Sequence, residues 1–203
     1  MPAAAEPSPS LFSVQQQALA MLVGRDLRRF FRQRSRIVGA LLQPLIFWAV
    51  IGSGLSGSFR MPGEQSVGYL SYFYPGTLVL VVLFTAIFTT MSVIEDRQRG
   101  FLQAVLAAPV SRVTLVLGKT LGSVAIALIQ GALFLLLCPL AGYELAAVNV
   151  PLVLLALSLI GVALAAVGFA LAWVLDSTQG YHVLMNVLLI PAWILSGAMF
   201  PIA

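Results

Sequence analysis

The chain has 203 residues, 60% of them hydrophobic and only 9% charged, with a mean hydropathy of +1.00. A water-soluble domain carries about 25% charged residues, so the composition excludes an ordinary soluble protein and points to a membrane one. The net charge of +4 is concentrated, with six arginines between Arg25 and Arg36. Such a run can bind nucleic acid, but its place directly before a membrane-length apolar run favours anionic lipid instead.

The leader MPAAAEPSPS is rich in Pro, Ala and Ser, and residues 1–14 are expected to be disordered. In residues 15–36, Leu19, Leu22, Val23, Leu27, Phe30 and Phe31 recur mostly at spacings of three and four, with Asp26 and the arginines over the remaining surface. That pattern predicts a basic amphipathic helix lying in the membrane interface. The basic segment is too long for a cleavable signal and no cleavage-type site follows a short apolar core, so the first apolar run should remain as a span.

That span is IVGALLQPLIFWAVIGSGL, residues 37–55, which reaches roughly 28 Å as a helix, about the thickness of a hydrocarbon core. The second covers residues 69–94. Tyr69, Tyr72 and Tyr74 near its start suit an interfacial aromatic belt, and Pro75 either sits in the first turns or marks a kink. Further spans are expected at about 114–137, 152–175 and 183–200. The chain ends in the turn-prone stretch SGAMFPIA with no polar tail, so either a last span has been lost or the end is a re-entrant hairpin, and truncation is the preferred reading.

With the N-terminus inside, the inward segments hold Arg25, Arg28, Arg29, Arg32, Arg34, Arg36, Arg97, Arg99, Arg112 and Lys119, whereas the outward linkers hold only Arg60. This ten-to-one bias predicts a cytoplasmic N-terminus and a cytoplasmic segment EDRQRGFLQAVLAAPVSR, residues 95–112. Within it Phe101, Leu102, Val105, Leu106 and Pro109 give a short helix one apolar face, bracketed by Gly100 and Pro109. A solvated loop and a contact plate for a cytoplasmic partner both fit, the charged ends supplying register in the second case.

Residues with chemistry of their own are scarce. The tripeptide GKT at Gly118–Thr120 invites a phosphate-loop reading, but Val113 stands where another glycine is required. Gly118 and Gly122, one turn apart, read instead as close helix contacts, as do Ala127 and Gly131. His182 is the single histidine and lacks Cys, Asp or Glu partners at ligand spacing, so no metal site is expected. Cys138 is the single cysteine and is expected to be packing. Gln43, Gln130 and Asn186 lie in apolar runs, where they either satisfy themselves across helices or line a polar route. No acidic residue falls near a span centre, which counts against a proton-coupled carrier or a cation channel.

The basic N-terminal helix before LLQPLIFWAVIGSG, the stretch YFYPGTLVLVVLFTAIFTTMSVIEDRQRGFLQAVLAAPVSR and the later LSGAMFPIA together resemble the permease subunits of type-two ATP-binding-cassette exporters, particularly the drug-resistance and nodulation-factor branch. The resemblance covers nearly everything after about residue 15 and is most specific at Glu95 to Arg112. It implies an all-α polytopic fold, five spans of a six-span permease preceded by the interfacial helix, in a bacterial inner membrane. It further implies pairing with a second permease subunit, an identical chain being the favoured case, and docking of separate cytoplasmic ATPase subunits that bind ATP and Mg2+. No cofactor would be held by this chain.

By the same resemblance Glu95, Asp96, Arg97, Arg99 and Gly100 belong to the first cytoplasmic loop. Phe101 to Arg112 complete its helical part, and Arg25, Arg28, Arg29 and Phe30 belong to the interfacial helix beside the docked ATPase. Ser196–Pro201 would open an external hairpin. The expected activity is ATP-driven export of drug-like or lipid- or saccharide-like amphipathic cargo, with no catalytic site in this chain. A membrane scaffold and a gated channel stand as alternatives.

Overall fold

The computed structural model describes residues 11–57 and 68–200. These form the helices α1 (Leu11–Arg32), α2 (Arg34–Leu55), α3 (Tyr69–Thr90), α4 (Ser92–Gln98), α5 (Phe101–Ala107), α6 (Arg112–Leu135), α7 (Val150–Val174) and α8 (Thr178–Trp193). Short 3-10 turns at Cys138–Ala141 and Leu145–Ala147 link α6 to α7, and a wide π turn at Ile194–Ala198 extends α8. Among the described residues five segments are long and apolar enough to cross a membrane: Ile37–Leu55, Tyr69–Gln98, Arg112–Leu135, Val150–Val174 and Thr178–Ala198. The chain is an all-α, multi-pass membrane protein.

Several boundaries differ from the sequence expectation. Helix α1 starts at Leu11, so residues 11–14 are helical; residues 1–10 of the expected leader lie outside the described residues, as do Arg60 and Pro201. Arg34 opens α2 rather than closing the preceding helix. The second span does not stop at Ile94: after a one-residue break at Met91 it runs on as α4, carrying Glu95 and Asp96 on a helix. The fifth begins at Thr178 because Ser177 caps it, its hydroxyl accepting from the Gly180 amide at 3.2 Å.

Helix α3 is the centre of the bundle, packing against α2, α6 and α7. Its spanning segment is 78% buried, against 22% for α2 and 17% for α7. Helices α3 and α7 are both apolar all round, so composition alone does not say which is enclosed by protein and which faces lipid.

At one end of the bundle aromatic residues hold the irregular C-terminal turn. Tyr69 and Tyr74 are buried, and their hydroxyls, with that of Tyr72, donate to the carbonyls of Met199, Phe134 and Gly197 at 3.1, 2.5 and 2.6 Å respectively. The expected aromatic belt is therefore an internal clamp, its hydroxyls bonded to protein carbonyls at the end of α6 and in the turn after α8. Pro75 sits inside an unbroken α3 and deprives the Ser71 carbonyl of its helical donor; the Tyr143 hydroxyl donates to it at 3.0 Å. Cys138 is buried here as a free thiol.

Where α3, α7 and α8 meet, Thr90 and Tyr181 share a buried hydroxyl–hydroxyl bond at 2.5 Å. Gly168 of α7 lies against it: a Cβ there would stand 2.6 Å from Thr90 Oγ1 and 2.9 Å from the Tyr181 hydroxyl. Gly168→Ala is expected to part the two hydroxyls and destabilise the fold by about 1–3 kcal/mol. Thermal unfolding in detergent checks this, with Gly39→Ala, whose added methyl meets nothing within 4 Å, as a control that leaves the midpoint in place.

Candidate functional site

Among the described residues the charged side chains, Glu144 apart, gather at the opposite end, where α1 leads into α2, α3 continues as α4, and α6 begins. Gly100 makes the geometry possible. It adopts φ +75°, the left-handed conformation that ends a helix, and its amide closes on the Arg97 carbonyl at 3.1 Å. The chain thereby turns sharply from α4 into α5. Helix α6 then starts with Ser111 as cap, its hydroxyl accepting from the Thr114 amide at 3.0 Å.

Helix α1 lies along α6. Gly118 and Gly122 make this approach possible, because a Cβ on Gly118 would be 2.9 Å from Leu22 Cδ1 and one on Gly122 would be 3.5 Å from Asp26 Cβ. Leu22, Leu102 and Leu115 form a small separate core joining α1, α5 and α6, with Phe101 and Val105 at its edge.

Beside this core is a buried ion-pair cluster. Asp96, 1% exposed, accepts from Lys119 Nζ at 2.6 Å, from Arg29 Nη1 at 3.1 Å and from Arg25. Lys119, 4% exposed, also donates to both carboxylate oxygens of Asp26, at 3.1 and 3.0 Å. Arg29 reaches Glu95 with its second nitrogen. Three cations thus meet three carboxylates, which compensates for removing them from water. The Arg25 guanidinium lies 3.5 Å from the centroid of the Phe101 ring, a cation–π contact that ties α5 to the cluster.

The remaining predicted residues are distributed differently. Arg97 points away from the cluster to the end of α7: its Nη1 donates to the Trp173 carbonyl at 2.7 Å, its Nη2 to Leu175, and it pairs with Asp176 at 2.8 Å. A cation on the terminal carbonyls of a helix is favoured by the helix dipole. Arg99 is 67% exposed and only 3.9 Å from Glu95.

The expected single apolar face of the segment is split, with Leu102 buried, Phe101 and Val105 half-buried, and Leu106 and Pro109 exposed. The reason is that α5 ends at Ala107, so its few turns turn only one edge toward α1 and α6. Pro109 lies in the connection and Arg112 is the exposed first residue of α6. Arg28 is exposed and Phe30 is buried, edge-on to Phe31.

Among the polar residues within spans, Gln130 is buried and bridges helices, bonded to Thr85 Oγ1 at 2.5 Å and reaching the Ile37 carbonyl at 3.5 Å. Asn186 bonds His182 Nδ1 at 2.7 Å, one turn earlier on the same helix rather than across helices. Gln43 is exposed on α2.

Three residues central to this end were not singled out as site residues from sequence. In the sequence Lys119 reads as an inward charge and as the middle of the failed GKT phosphate-loop match, and Asp26 as part of the polar surface of the basic amphipathic helix. Gln15 ties α1 to the start of α6: its amide donates to the Pro109 carbonyl at 3.0 Å and its oxygen accepts from the Ser111 amide and the Thr114 hydroxyl at 3.0 and 2.7 Å. A signal was present: Gln15, Leu19, Leu22, Asp26 and Arg29 follow a four-three-four-three spacing, the stripe that faces a packed helix.

The described residues form a multi-pass helical bundle whose charged end is cross-linked by buried ion pairs. Residues 17–203 match the family described as the ABC-2 type transporter, and the chain belongs to that family. It is similar to a protein of Cyanophora paradoxa named as a transport permease, ycf38, at 32% identity over 104 residues, 50% of this chain. The aligned region spans 34% of that relative's length. No solved structure matches the chain.

Proposed function

We propose that the chain is the transmembrane subunit of an ATP-driven exporter of the drug-resistance and nodulation-factor branch, moving amphipathic drug-like, lipid-like or saccharide-like cargo. It sits in a bacterial inner membrane with its N-terminus in the cytoplasm, pairs with a second copy of itself, and is driven by separate cytoplasmic subunits that hold ATP and Mg2+. Helix α1 lies in the inner interface, and the exposed side of α5 is the surface those subunits press on.

The observation that carries this reading is the Asp96–Lys119–Asp26 joint. A push on α5 reaches the base of α4 through the Gly100 turn, and α4 continues α3, the most enclosed span. The buried ion pairs bind the same point to α1 and α6. Packed elements with fixed polar links move as units rather than deforming, so displacement of α5 tilts the central spans and changes access to the cargo route. Positive charge collected at this end supports its cytoplasmic placement.

Glu95→Ala with Arg99→Ala is expected to leave membrane insertion intact and to reduce cargo-stimulated hydrolysis by the ATPase partner to its basal rate. Arg99→Ala alone is the cleaner surface variant, because Glu95 also anchors Arg29. The assay is hydrolysis and cargo flux in membranes carrying both subunits. Unchanged docking and full coupling in the double variant would overturn the assignment.

A further inference from the structure

An open groove of about 990 Å3 lies between α1 and α5, next to the coupling surface and sharing Arg99 with it. Arg28, Arg32 and Arg99 line it, and Met21, Val105 and Val110 contribute apolar surface. Arg25 and Arg29 also border it but are committed to Asp96 and Glu95. Asp96 also lines the groove but is held by Lys119, Arg25 and Arg29; among the described residues Arg28 and Arg32 form no ion pair, and Arg99 has a contact of 3.9 Å with Glu95. The carboxylates next door are engaged by Lys119, Arg25 and Arg29, so Arg28 and Arg32 offer positive charge to an added anion.

We propose that this groove binds an anionic glycerophospholipid, the phosphate held by Arg28 and Arg32 with Arg99 across from them, and an acyl chain lying on Met21, Val105 and Val110. Charge and shape agree on the class. Guanidiniums offer only donors, in a fork that matches phosphate oxygens, and the walls supply no free carboxylate to compete. The volume suits a headgroup with the first part of a chain.

Depth decides between a lipid and an acidic protein segment. Arg32 ends α1, and after the break at Gln33 the apolar span of α2 starts five residues on at Ile37, about 7.5 Å at helical rise. The groove therefore opens at headgroup level. Met21, 73% exposed, and Phe31, 53% exposed, place apolar side chains on the same helix, where a bilayer rather than water covers them.

The proposal rests on the placement of α1 at the membrane interface and not on coupling to an ATPase, so its test needs no partner subunit. The purified full chain in detergent is titrated with phosphatidylglycerol, phosphatidylcholine and inorganic phosphate, with bound lipid counted by native mass spectrometry. Phosphatidylglycerol is expected to bind in preference to phosphatidylcholine, and inorganic phosphate is expected not to displace it. Arg28→Gln with Arg32→Gln should weaken phosphatidylglycerol binding by about 25-fold, about fivefold per arginine. Arg112→Gln, an exposed arginine outside the groove, should leave it unchanged.

Circular dichroism of each variant establishes folding, and Arg99→Gln, in the turn between α4 and α5, provides an independent variant that should also weaken binding. Equal binding of both lipids, an unaltered affinity in the folded double variant, or displacement by inorganic phosphate would overturn the proposal. So would displacement of the lipid by an acidic peptide at equal concentration, which would assign the groove to a protein. In the wild type, normal lipid binding without cargo-stimulated hydrolysis by an ATPase partner would sink the exporter mechanism alone, and coupled hydrolysis without selective lipid binding would sink the lipid site alone.

Discussion

Asp96→Ala is expected to destabilise the folded chain by roughly 3–5 kcal/mol, because it leaves buried charge without its partner. The side chain is almost fully enclosed and receives Lys119, Arg29 and Arg25 from two different helices. Removing it strands Lys119 with Asp26 as its single remaining carboxylate and leaves Arg25 with the Phe101 ring alone. Unfolding of the purified chain in detergent would register the loss as a large fall in the thermal midpoint. Asp96→Asn, which keeps the shape but not the charge, should fall between wild type and alanine.

Adding Lys119→Met to Asp96→Ala should cost less than the sum of the two single changes, because the second substitution removes the charge that the first has orphaned. An unchanged midpoint in Asp96→Ala, or strict additivity in the pair, would mean that the cluster does not hold α1, α4 and α6 together.

Gly118→Val is expected to push α1 away from α6. Even the first carbon of the new side chain would stand 2.9 Å from Leu22 Cδ1 and 3.0 Å from Leu22 Cβ. Leu22 is itself buried against Leu102 and Leu115, so it has little room to yield. Overpacking of this kind costs about 1–3 kcal/mol. Here the displacement also draws Asp26 away from Lys119, one turn further along the same contact. Limited proteolysis within α1, combined with the thermal midpoint, reads both effects, and Gly39→Val is the control. If α1 stays as protected as in wild type, the close contact at Gly118 is not what seats it.

Much of the fold is legible from composition. Each spanning segment is a long apolar run bounded by charge or turn formers, and in a bilayer such a run has to be helical because its backbone can satisfy itself in no other way. The boundaries are less legible. The second span continues to Gln98 because Glu95 and Asp96, polar enough to end a run on hydropathy, are neutralised by residues from α1 and α6. The tyrosines near Tyr69 look like a lipid-facing belt for a similar reason: amphipathic rings suit a membrane interface and an internal clamp equally well, and only the carbonyls of the C-terminal turn distinguish them.

The candidate site was legible as a segment but not as an assembly. Glu95 to Arg112 stands out locally, with charge beside a glycine turn and a short apolar helix. The residues that complete it sit far away in the chain: Lys119 lies 93 residues from Asp26 and 23 from Asp96. Periodicity reports which face of one helix is apolar, not which partner covers it. Asp26 on the stripe of α1 and Lys119 within an apolar helix each resemble a local irregularity, and they become a salt bridge only when the two helices are laid together.

By itself, then, the sequence determined that this protein crosses a membrane repeatedly and keeps its positive charge at one end, since both follow from the expense of placing polar groups in hydrocarbon. Tertiary structure alone decided that α3 is the enclosed centre and that Asp26, Asp96 and Lys119 share one buried point. Those choices depend on the shapes of facing helices and on glycines that admit close approach, and such complementarity has no signature within any single segment.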